Sequence, residues 1–150
     1  MKLAEALIER ADLQRRLEQL KQRLNQNAQY QEGEEPAEEP NALLAEYRQT
    51  ATELERLIIK INLANNRISL ENGQLMVEAL AKRDRLKAEH STLINLADSA
   101  TQTFDRYSRS EIKTLAAIDV KAIRKQIDEL AKQHRQLDTQ IQLVNWLSEI

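Results

Sequence analysis

Cysteine is absent from this chain, and glycine and proline occur only twice each. Without cysteine there is no disulfide framework, no thiol nucleophile and no thiolate metal site. Gly33, Gly73, Pro36 and Pro40 are the only strong loop punctuators in 150 residues, so loops are few and elements long. Aromatic side chains are scarce too: Tyr30, Tyr47, Phe104, Tyr107 and Trp146. No sign of charge dominates, because 22 basic and 24 acidic residues leave a net charge of -2. That balance argues against a dedicated nucleic-acid binder, which carries a dominant basic face. Purely aliphatic runs stop at about three residues, as in Leu57-Ile58-Ile59, far short of the roughly 20 that span a bilayer. No membrane association is therefore expected. The start, Met1-Lys2-Leu3, soon meets Glu5 and Glu9 and reads as an amphipathic helix rather than a signal peptide, which points to the cytoplasm. No phosphate-binding glycine loop, dinucleotide motif, zinc-protease motif or nucleophile elbow occurs.

What the chain has is apolar residues spaced three then four apart. One seam runs through Val120, Ile123, Ile127, Leu130, His134, Leu137, Ile141 and Val144. A second uses Leu44, Tyr47, Ala51, Leu54, Ile58, Ile61, Asn65 and Ile68. A third opens the chain at Leu3, Ala6, Arg10, Leu13, Leu17, Leu20 and Leu24. A fourth uses Ala79, Arg83, Leu86, His90, Leu93, Ala97, Ala100 and Phe104. This spacing puts a narrow stripe on one side of a helix, to be buried against other helices. The fold class is mainly α: a long antiparallel, coiled-coil-like bundle in one domain over 1–150, with helices at about 2–27, 41–66, 77–104 and 120–147.

Three connectors join these helices. Gln31 to Pro40 holds both prolines, one glycine and five glutamates, and reads as a mobile acidic linker. In Arg67 to Met76, Asn72-Gly73 sits between alternating apolar residues and predicts a short β-hairpin. In 105–118, the alternation of Ile112, Thr114 and Ala116 predicts a further short strand, while the Ser108–Glu111 spacing suits a helical turn. An up-down-up-down path places the acidic 32–39 loop beside Arg106, Arg109 and Lys113. Narrow seams and unpaired strand edges both favour a homo-oligomer, at least a dimer, with the chain itself as partner.

Candidate chemistry is thin. Arg106, Tyr107, Ser108, Arg109, Ser110 and Lys113 gather cations and hydroxyls suited to an oxyanion, or to a loop held by salt bridges. No serine there has an adjacent histidine, so no catalytic residue is expected. His90 and His134 both occupy seam positions at matching heights, which makes them the two candidates for a shared metal or proton site. Zinc or iron takes three or four ligands, so neither a metal nor any other cofactor is expected.

Taken together, Gln31-Glu32-Gly33-Glu34-Glu35-Pro36, Leu70-Glu71-Asn72-Gly73, the run Arg106-Tyr107-Ser108-Arg109-Ser110-Glu111-Ile112-Lys113, and Asn145-Trp146 resemble a family of small bacterial helical proteins. Its members are often labelled septicolysin and otherwise classed as a domain of unknown function. The resemblance covers essentially the whole chain, and its label implies a pore-forming cytotoxin. The residues themselves favour a non-enzymatic helical protein that oligomerises and binds partners, with an anion binder or enzyme built on 106–113 as the further alternative.

Overall fold

A computed structural model describes residues 1–102 and 112–150. Among them lie four α-helices: α1 (Leu3–Gln26), α2 (Pro40–Asn65), α3 (Met76–Thr101) and α4 (Val120–Leu147). The chain divides into two compact units, one comprising Met1–Ser69 with Leu143–Ile150 and the other Leu70–Gln142.

In the first unit α1 and α2 run antiparallel, joined by Arg16–Glu46 at 2.8 Å and, just before α2 begins, by Arg23–Glu38. The start of α1 is stapled by its own sequence: the Lys2 N–H donates to Glu5 Oε2 at 2.7 Å, satisfying a backbone donor that the helix leaves open. The α1 seam is buried at Leu3, Ala6 and Leu20 and half-buried between them. The α2 seam is rotated from its expected position. Leu43, Thr50, Leu57, Ile61 and Ala64 are buried, whereas Leu44, Ala51, Ile58 and Asn65 are only half-buried. Adjacent apolar pairs, Leu43-Leu44 and Leu57-Ile58, offer two stripes of nearly equal hydrophobicity. Packing selects the one that includes Thr50, a polar residue left only 2% exposed. The chain ends also meet in this unit. The Leu3 N–H donates to Ser148 O at 2.9 Å and the Ile150 N–H to Met1 O at 2.9 Å. Glu149 receives Lys2 Nζ at 2.7 Å and the Met1 ammonium at 3.1 Å.

In the second unit α3 and α4, as far as Gln142, run antiparallel, with Arg83 on Asp138 at 2.8 Å and Arg124 facing Asp98 at 4.0 Å. Met76, Ala79, Leu86 and Ala97 of α3 are buried, as are Ile127, Leu130, Leu137 and Ile141 of α4. Asp119 caps α4, accepting the Ala122 N–H at 3.1 Å. The expected third helix extends to 104, beyond the described residues.

Two expectations are corrected. No β-strand forms among the described residues, so the fold is α-helical rather than helical with a hairpin and a further strand. At 70–74 the chain does reverse tightly: the Gly73 N–H donates to Leu70 O at 2.9 Å and the Leu70 N–H to Gln74 O at 2.8 Å. Gly73 takes φ +85°, while Asn72 has negative φ and uses its side chain to accept the Gln74 N–H at 3.0 Å. Flanking strands do not develop because Leu75 already caps α3, its N–H held by Glu78 Oε2 at 3.0 Å. The turn chemistry is that of a hairpin, but helix formation takes the residues a strand would need. The 112–118 segment likewise forms no strand; it is largely exposed, with Ile112 and Leu115 at 85% and 80%. Alternation alone stabilises nothing without a neighbouring strand to pair with.

Candidate functional site

Of the loop residues singled out by sequence, Arg106, Tyr107, Ser108, Arg109 and Ser110 lie outside the described residues. Lys113 is described and exposed. The expected juxtaposition of 106–113 with the acidic loop therefore lies outside them as well.

The acidic connector is not the free linker its composition suggests. Asn27, buried at the end of α1, accepts the Glu38 N–H on Oδ1 at 2.9 Å and donates Nδ2 to Arg23 O at 2.8 Å. Arg23 grips the Glu38 carboxylate with both Nε, at 3.0 Å, and Nη2. That hydrogen bond holds the Glu38 carboxyl below its ordinary range and raises the Arg23 guanidinium. Glu39 then caps α2, accepting the Ala42 N–H at 2.7 Å. Gly33, at φ +88°, sits third in a turn closed by the Glu34 N–H on Gln31 O at 3.0 Å. The cation on this loop is Arg23 of α1, fifteen residues away in the chain. Asn27 went unnoticed, although asparagine at a helix end is a recognised stop signal.

His90 and His134 come together. With Lys87 and Ala131 they line a cleft of about 220 Å³ between α3 and α4. Both imidazoles are half-buried, and Lys87 is exposed. Lys87 was not anticipated; its place one turn before His90 on the seam's edge was the available signal. Among the described residues no three His, Cys, Asp or Glu side chains are grouped to hold a metal ion. The sequence-level metal candidates thus form a pair backed by a cation rather than a ligand set.

The first unit carries a different kind of candidate. Leu143, Trp146 and Leu147 are 56%, 54% and 66% exposed at i, i+3 and i+4 of α4. The antiparallel register of α1 and α2 sets Ile59 and Leu63, also exposed, level with the start of α1, where Met1 is exposed too. Among the described residues no helix is long and apolar enough to cross a membrane.

Comparisons with known proteins agree with this helical fold. A crystal structure of a functionally unknown conserved protein from Corynebacterium diphtheriae superposes with a TM-score of 0.94 at 43% identity. The match covers 100% of this chain and 98% of that one. No curated protein matches. Residues 10–150 match the family of unknown function DUF6847, and the chain belongs to that family.

Proposed function

We propose that the protein is a non-enzymatic, cytoplasmic helical protein that works by self-association, as a dimer or larger homo-oligomer, and by binding a further protein. The supporting observation is the outward apolar stripe Leu143–Trp146–Leu147, with Met1, Ile59 and Leu63 level with it. Leu143, Trp146 and Leu147, at i, i+3 and i+4, share one outward strip of α4, the pattern by which a helix face docks on a partner. A net charge of -2 imposes little repulsion between copies. With no strand edges among the described residues, exposed helical leucines and tryptophan are the surfaces available to a partner. Sedimentation or light scattering at micromolar concentration tests the reading. The parent chain is expected to run as a dimer or larger, and Trp146→Glu with Leu147→Glu as a folded monomer. A folded parent monomer at that concentration overturns it.

The resemblance to septicolysin-labelled proteins carries a second reading, a membrane-active cytolysin. Dye release from liposomes by nanomolar protein is its test. Intact vesicles at every dose remove it.

A further inference from the structure

Along the facing edges of α3 and α4 the residues step down in a common antiparallel register. Arg83 stands opposite Asp138, Lys87 opposite His134, and His90 opposite Ala131. At the first level a cation meets a carboxylate at 2.8 Å, and the pair is self-contained. At the next two levels the carboxylate is missing. A fixed lysine charge faces an imidazole, and a second imidazole faces a methyl group. Among the described residues none of these three nitrogen-bearing side chains makes a hydrogen bond or ion pair. Asp84 and Asp128 lie on the same two helices, but neither lines the cleft. Ala131 is the small side chain that keeps the space of about 220 Å³ open. An ammonium carries three donors and each imidazole at least one, so the lining is rich in donors and, among the described residues, has no anionic group of its own.

We propose that this cleft binds a small divalent oxyanion of the phosphate or sulfate type, held by Lys87 as the fixed charge and by His90 and His134 as donors. The oxyanion takes the place that Asp138 fills one turn away, accepting hydrogen bonds from cation-bearing side chains on both helices. A transition metal fits worse. Two imidazoles fall short of a ligand set, and the lysine ammonium repels a cation. The inference is independent of self-association, because all four lining residues belong to one unit of one chain.

The test is a titration of the full chain at constant ionic strength, followed by the imidazole NMR signals of His90 and His134. Inorganic phosphate and sulfate are the first probes, with glycerol 3-phosphate to distinguish a free ion from the head of a larger ester. Saturable shifts at both histidines with phosphate or sulfate, absent with chloride, are expected. Tighter binding of the ester assigns the natural ligand to phosphomonoesters; equal binding assigns it to the free ion. Lys87→Gln, at an exposed position, is expected to weaken binding by about tenfold or more, and Lys87→Arg to retain it. Ala131→Leu, which fills the cleft, is expected to abolish binding while the helices remain intact. The proposal is overturned by any of three results. One is the absence of saturable shifts up to tens of millimolar phosphate. Another is an equal response to chloride. The third is tight zinc binding at both histidines with no response to phosphate.

Discussion

Two connectors in this chain reverse its direction by opposite means. The turn at 70–74 is closed by its own backbone and by Asn72, with Gly73 at positive φ. The 27–39 connector is held from outside itself, by Asn27 and Arg23 projecting from α1 onto Glu38. A local turn is specified by residues three or four apart, so it is legible in sequence. A latch is specified by residues 11 and 15 positions apart, and only folding brings those together.

The sharpest way to break this contrast is Asn27→Ala. It leaves the part-buried Glu38 N–H without its acceptor and removes a second bond to Arg23 O, at an expected cost of about 1–3 kcal/mol in chemical denaturation. Unchanged stability would show that the latch contributes nothing. Gly73→Ala should cost less, about 1 kcal/mol. A Cβ there meets nothing within 4 Å, so the whole effect comes from φ +85°. Gly33→Ala, at φ +88° and equally open, should cost the same if the turn around it is as well formed. A much smaller loss at Gly33 would mark the acidic connector as held only at Glu38 and Glu39.

The smallest expected effect is on pH. The Glu38 carboxyl is lowered chiefly by its hydrogen bond to Arg23. A carboxyl lowered by folding contributes stability that is present above its unfolded value and lost as pH falls through its folded value. The pair is partly exposed, so the global change is small and is best read locally. Measured against its intrinsic exchange rate at each pH, the Glu38 amide should lose protection on acidification, while the Gly73 amide, bonded to a backbone carbonyl, keeps its own. Arg23→Gln should remove the difference. Equal behaviour of the two amides in the parent chain would refute the assignment of the latch to Arg23.

The α4 seam was legible because the positions beside Ile127, Leu137 and Ile141 are charged or polar, which leaves one stripe to bury. In α2 the stripe was half right: Tyr47, Leu54 and Ile61 belong to it, but their companions are Leu43, Thr50, Leu57 and Ala64. Hydropathy prefers Ala51 to Thr50, and packing against the rest of the unit decides otherwise. The candidate site shows the same division. Seam spacing alone put His90 and His134 at matching heights. Lys87 joined them only through the register that Arg83 and Asp138 share across two helices.

By itself the sequence determined that this protein is helical. Scarce glycine and proline together with three-and-four apolar spacing leave no other way to bury the leucines. It also determined where the chain reverses at Asn72-Gly73, since that turn needs only positive φ at one residue. Tertiary structure decided that no strand follows that turn, because Leu75 and Glu78 commit the next residues to α3. It also decided which stripe of α2 is buried, which cation holds Glu38, and that three nitrogen-bearing side chains face one cleft with no carboxylate among its described lining residues. Each of these depends on the register between helices, a quantity that arises only when two helices pack.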